Sequence, residues 1–140
     1  LPYTTLFRSG FRGNMRFAVH SLALPRDERD SRVSEALDLL GLGDVAKRRH
    51  KGLSGGEAQR LALARVIARK AHVLLLDEPT ASVDAESRDR IVAALDSLAR
   101  SGTTVIFSSH EPALIDGLAQ RILVFDRGSI IEDREREYAH

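Results

Sequence analysis

Cysteine is absent from the 140-residue chain. Disulfides and thiolate chemistry are thereby excluded, and the composition accords with a reducing compartment. No apolar run approaches the ~20 residues that a membrane-crossing helix needs. Any membrane involvement is therefore expected to pass through another chain. A field of one sign is missing as well: 21 Lys and Arg stand against 20 Asp and Glu, for a net charge of +1. That balance gives no reason to expect nucleic acid or an anionic membrane as a partner. What remains is 43% hydrophobic and 29% charged, the composition of a soluble globular chain long enough for one modest core.

Residues 1–9 have no period and no turn logic, and they resemble the translation of a common sequencing-adaptor sequence. They are expected to be a non-native leader and are set aside. Residues 10–132 then form one unit, and residues 133–140 a charged, frayed tail. Residues 10–25 read as a connector with a helical turn near Asn14–Ala18, and Arg26–Asp30 as a solvated run of charge. Val33, Ala36, Leu37 and Leu40 form one stripe, which predicts a helix capped by Asp30 or Ser31 and stopped by Gly41 and Gly43. Lys47–Lys51 reads as a basic loop.

The chain turns on Leu53-Ser54-Gly55-Gly56-Glu57-Ala58-Gln59-Arg60. Ser54 and Glu57 have the spacing of a capping box. Leu61, Ala64 and Ala68 continue an apolar face, so a helix is expected to about residue 68. A helix N-terminus favours an anion. Gly55 and Gly56 lack the side chains that would hold a phosphate away. Two readings stay open on these residues alone, a phosphate site and a well-capped core helix.

Residues 72–76 read as a strand buried on both faces, because Val73-Leu74-Leu75-Leu76 is apolar without alternation. A helix over 87–100, a strand over 103–107, a short helix over 111–118 and strands over 121–125 and 129–131 complete the pattern. Alternating strands and helices predict an α/β fold with a parallel sheet, in which ligands sit at the carboxyl ends of strands. Two acids stand at such an end. Asp77 suits Mg²⁺, which takes one or two carboxylates plus phosphate oxygens. Glu78, one residue on, points elsewhere and could polarise an attacking water. The alternative is a pair of solvated acids. His110, after Val105-Ile106-Phe107, could hydrogen-bond a phosphate or the water, or be structural. Asp84 is by itself a good N-cap.

Taken together, these motifs resemble the ABC-type ATPases, in order and spacing, from roughly residue 13 to residue 132. Leu53–Gly56 with Glu57 and Gln59 resembles the signature motif, and Val73–Glu78 the Walker B strand with its catalytic glutamate. Ser82-Val83-Asp84 resembles the D-loop, with a mild departure in the two residues before the aspartate. His110 resembles the switch histidine. The resemblance implies a P-loop NTPase-type three-layer α/β fold with a parallel sheet core over about 72–131 and a helical subdomain over about 26–68. It implies ATP and Mg²⁺ as ligands. Asp77 would coordinate Mg²⁺, Glu78 would be the general base or orient the water, and His110 would sense the γ-phosphate. Asp84 would couple the two sites of a head-to-tail dimer with a second ATPase subunit. Ser54, Gly55 and Gly56 would contact ATP held by that second subunit.

The family's phosphate-binding loop has no counterpart: G-x-x-x-x-G-K-[ST] occurs nowhere, and Gly10-Phe11-Arg12-Gly13 is too short and has no lysine in place. The glutamine loop is also missing, since Gln59 is the first glutamine, and so is the aromatic that stacks on adenine. The chain is therefore expected to be the C-terminal part of an ATPase domain, with the N-terminal strands missing. It is expected to be inactive alone, poorly stable, and to expose an edge and part of an apolar face at residues 73–76. The leading functional reading is the ATP-binding subunit of an ABC transporter, in the cytoplasm on the inner face of the membrane, docked on a transmembrane permease. The alternatives are a non-transport ABC-type ATPase of DNA repair, chromosome organisation or translation, and a non-catalytic module. Intact Asp77, Glu78 and His110 speak against the last.

Overall fold

Helix formation begins earlier than the apolar spacing suggests. The computed structural model describes residues 11–47 and 52–135. Helix α1 spans Phe11–His20, where only a helical turn was expected. Its Met15, Ala18 and Val19 are buried, so burial against neighbouring helices extends the turn into a full helix. Helix α2 spans Arg26–Leu39 and includes the charged run expected to be a loop. Pro25 stands at its N-cap, so neither Asp30 nor Ser31 caps it. Asp27 and Glu28 lie in its first turn, where acids complement the helix dipole. Arg32 Nη2 meets Glu28 Oε1 at 2.6 Å, one turn apart. Charge thus decorates the helix rather than excluding it. Gly41 ends the segment at φ 64°, the left-handed backbone that glycine adopts without strain.

A short 3-10 helix covers Val45–Lys47, and most of the expected basic loop lies outside the described residues. Helix α3 spans Gly55–Ile67. Strand β1 (Val73–Asp77) leads through a loop to α4 (Ala85–Arg100), then β2 (Thr104–Ser108), α5 (Pro112–Leu118), β3 (Arg121–Asp126) and β4 (Ser129–Glu135). The core joins α1 to α4 through Met15, Val19, Leu37, Leu40, Leu61 and Ile91.

Strands β1 and β2 pair in parallel, as the α/β pattern predicted, with Leu74 opposite Val105 and Asp77 opposite Ser108. Strands β3 and β4 form a separate antiparallel hairpin among the described residues. The reason is local. Arg127 and Gly128 both have positive φ, 45° and 82°, between the paired Asp126 and Ser129. A two-residue turn of that kind closes a hairpin, whereas a parallel crossover needs a dozen residues or more. Strand β4 also runs further into the charged tail than expected, to Glu135, held in part by Arg121 Nη2 to Asp133 Oδ2 at 2.6 Å.

Burial of β1 is one-sided. Leu74 is 2% exposed and faces the core, while Leu75 is 73% exposed on the opposite face beside Ile106 at 53%. The apolar run of β1 was read as covered on both faces. Among the described residues it is covered on one, in line with the expectation of an exposed face at residues 73–76.

Candidate functional site

Ser54 caps α3 as its spacing predicts. Its Oγ accepts from the Glu57 amide at 3.1 Å, and Glu57 Oε2 accepts from the Ser54 amide at 2.9 Å. The two glycines then part company. Among the described residues a Cβ on Gly55 would meet nothing within 4 Å. Gly56 is buried, and a Cβ there would lie 2.6 Å from Asp84 Oδ2 and still closer to Ser87 Oγ. Its missing side chain makes room for the start of α4.

Asp84 is the N-cap of α4. Its carboxylate accepts from the Ser87 amide at 2.8 Å and from Ser87 Oγ at 2.7 Å. Those two bonds, the backbone one foremost, hold its carboxyl below the usual aspartate range, and the Arg60 charge adds to the effect. Arg60 itself is buried on α3, and its Nε has no hydrogen-bond partner among the described residues. Gln59 reaches from the same helix, its Nε2 donating to Pro79 O at 3.4 Å. The Ser54–Arg60 segment is thereby tied to both the loop after β1 and the start of α4.

At the end of β1 the two acids diverge. Asp77 continues the strand, and its Oδ1 accepts from Ser108 Oγ at 2.5 Å. Glu78 adopts φ 45°, a left-handed conformation uncommon for a side-chain-bearing residue. This turn swings its carboxylate off the strand line and onto His110, with Glu78 Oε1 and His110 Nδ1 2.8 Å apart. That hydrogen bond, and then the Glu78 charge, raise the His110 pKa above the usual histidine value. Glu78 Oε2 is buried and has no hydrogen-bond partner among the described residues. One oxygen is thus committed to the imidazole, and the other is left without a hydrogen bond among the described residues.

The sequence singled out Asp77, Glu78 and His110, and the fold gathers them at one end of the β1–β2 pair. It does not join Ser54 or Gly55 to them: no hydrogen bond links either residue to this cluster among the described residues. Several supporting side chains were not foreseen. Ser108 bridges the strand ends. Thr80, only 1% exposed, donates from Oγ1 to Glu111 Oε1 at 3.1 Å, and Glu111 Oε2 lies 3.3 Å from Arg88 Nε. These residues are far apart in the chain and carry no local signature; only the parallel register, which sets Ser108 opposite Asp77, could have pointed to one of them.

Residues 3–81, more than half of the chain, match the sequence model of the ABC transporter family. The chain belongs to the ABC transporter family. The matched segment contains Ser54–Arg60, Asp77 and Glu78, and it ends before Asp84 and His110. Among curated members, the chain is 38% identical over 132 residues to the energy-coupling factor transporter ATP-binding protein EcfA of Methanothermobacter thermautotrophicus. That similarity covers 94% of this chain and 42% of EcfA. The cell division ATP-binding protein FtsE of Mycobacterium tuberculosis is 36% identical over 123 residues, covering 88% of this chain and 54% of FtsE. The chain thus spans about half the length, or less, of these curated relatives. Among solved structures, the dimeric post-hydrolysis state of an ATP-binding cassette bound to ADP and Pi is similar, with a TM-score of 0.74 and 26% identity. That likeness covers 91% of this chain and 57% of the cassette. The family's α/β architecture agrees with the parallel β1–β2 pair and its flanking helices.

Proposed function

We propose that this chain carries the hydrolytic half-site of an ATP-binding subunit of an ABC transporter. The observation that carries the reading is the Glu78–His110 pair beside Asp77 at the end of a parallel strand. Glu78 would orient the water for attack on the terminal phosphoryl group. His110, hydrogen-bonded to Glu78 Oε1, would hold that carboxylate in place and face the γ-phosphate. Asp77 would hold Mg²⁺. No cluster of three ligating side chains occurs among the described residues. The strand-end carboxylate of Asp77 fits Mg²⁺, which takes one or two carboxylates and keeps waters and phosphate oxygens around them. When bound, the ion would neutralise charge on the phosphates.

Ser54 and Gly55 act on the ATP of a second subunit in a head-to-tail dimer. The exposed backbone at Gly55 and the capped N-terminus of α3 support this role. Asp84 couples the two sites, since its cap on α4 sits against Gly56 on the same helix as Ser54. A transmembrane permease receives the motion, and the subunit lies on the cytoplasmic face of that permease. No helix among the described residues is long and apolar enough to cross a membrane itself. Similarity to a cell division ATP-binding protein keeps a non-transport ATPase as the second reading.

The chain contains no G-x-x-x-x-G-K-[ST] segment to hold the β- and γ-phosphates. The 140 residues alone are therefore expected not to turn over ATP. Mg²⁺-dependent turnover by the purified chain, abolished in Glu78→Gln, would overturn that expectation. Fused to the phosphate-loop segment of a relative, the chain should hydrolyse ATP and lose roughly 10²–10⁴-fold in rate in Glu78→Gln. Undiminished activity of the Ser54→Arg form of that fusion would end the assignment of Ser54 to the opposite subunit's ATP.

A further inference from the structure

We infer that Ser108 is the positioning residue of the strand-end acids: its hydroxyl sets the rotamer of Asp77 and pins the left-handed turn that aims Glu78. The inference rests on the reading of Asp77 and Glu78 given above. Three observations meet at this one side chain. Parallel register places Ser108 directly opposite Asp77. Its Oγ donates to Asp77 Oδ1 at 2.5 Å. The same Oγ accepts from the Glu78 amide at 3.2 Å, and the Ser108 carbonyl accepts from that amide at 3.2 Å as well.

A hydroxyl has one proton to give and lone pairs to receive with. Here the proton goes to the Asp77 carboxylate and a lone pair takes the Glu78 N–H. The bond to an ionised acceptor is the stronger kind. It engages Oδ1 and leaves Oδ2 for another ligand. The shared Glu78 amide matters because φ 45° at that residue is costly for an L-residue with a side chain. Anchoring the amide at both the carbonyl and the hydroxyl of Ser108 offsets that cost. It also fixes the direction in which Glu78 leaves β1 to meet His110. Ser108 touches no reacting atom in this arrangement; it acts through the two acids.

Threonine and valine at position 108 separate hydroxyl from shape, since they are nearly isosteric and both favour strands. The readout, taken on the full 140-residue chain, is the set of three-bond couplings of the Asp77 carboxyl carbon to its backbone N and C′, which report its χ1 rotamer. Ser108→Thr should retain the single-rotamer pattern. Ser108→Val should lose it to rotamer averaging and speed hydrogen exchange at the Glu78 amide, with the β1–β2 pairing unchanged. An Asp77 pattern identical in the Thr and Val forms overturns the inference. Ser108→Ala serves as a second hydroxyl-free variant. Should both hydroxyl-free forms lose the strand pairing, Ser108 holds strands and not acids, and the inference falls. None of these outcomes depends on nucleotide turnover, so this inference and the proposed ATPase reading can fail separately.

Discussion

Gly56 and Asp84, 28 positions apart in the numbering, approach so closely that a Cβ on the glycine would lie 2.6 Å from the aspartate's Oδ2. The contact joins the start of α3 to the start of α4, and thus Ser54's helix to the loop that follows Glu78. Gly56→Ala should therefore force Asp84 and Ser87 aside and cost about 1–3 kcal/mol, the usual range for overpacking. Gly55→Ala, one residue earlier in open space, should be neutral or stabilising by up to about 1 kcal/mol. Urea denaturation of the two variants checks the contrast, and equal effects would contradict it.

Ser54→Ala removes an acceptor that the Glu57 amide uses and breaks the reciprocal cap. The expected loss is about 1 kcal/mol. Ser54→Asp, which restores an acceptor and adds a charge favourable at a helix N-terminus, should recover it. Helix content and midpoint from the same denaturation experiment decide the matter.

Acid and base should act on stability through different residues. Asp84 has a lowered pKa in the folded chain, so its contribution is complete above the ordinary aspartate value of about 3.9 and is lost as pH falls through the lower folded value. His110 has a raised pKa, so its contribution is complete below the ordinary histidine value of about 6.5 and is lost as pH rises through the higher folded value. Asp84→Asn should flatten the acid limb of a stability–pH profile and leave the limb above neutrality intact. His110→Gln should do the reverse.

Thr80 is buried with its hydroxyl on Glu111, which also meets Arg88. Thr80→Val keeps the shape and removes the donor. The expected cost is about 1–2 kcal/mol, because Glu111 Oε1 then loses a partner in a part-buried position. Thr80→Ser should retain more of the stability than Thr80→Val. The reverse order in thermal melts would show that the methyl matters and the hydroxyl does not.

Leu75 and Ile106 on one face of the β1–β2 pair, with Phe125, Ile130 and Ile131 on the β3–β4 hairpin, are exposed apolar surface. Such surface promotes association. The purified chain should self-associate in a concentration-dependent way, as seen by sedimentation velocity. Leu75→Lys should shift it toward monomer, since a charge on an open sheet face opposes pairing. A chain that sediments as a monomer at all concentrations would refute this.

Much of the candidate site was legible because its chemistry is local. A capping box is four residues long, so Ser54 and Glu57 declared it themselves. Acids after an apolar run, and a histidine after another, mark strand ends without reference to the rest of the chain. The elements were legible where apolar spacing was strong, as in α4 and β1. They were misread where burial from outside the segment decides. Met15 and Val19 make α1 a helix only because α2 and α3 cover them. Arg26–Asp30 has no apolar face of its own and reads as a loop; it is mostly exposed, as expected, but forms the start of α2.

The sequence by itself determined which groups this protein has to work with: a capped helix start, two adjacent acids, a histidine, an α/β alternation and no phosphate loop. Only the tertiary structure decided how they are used. It separated Gly55 from Gly56, one open and one filled by Asp84. It turned Glu78 away from Asp77 through a left-handed backbone and set it on His110. It chose Ser108 as the residue between them. The physical reason is that register and packing bring together side chains from remote parts of the chain, and no spacing within a single segment encodes which of them will meet.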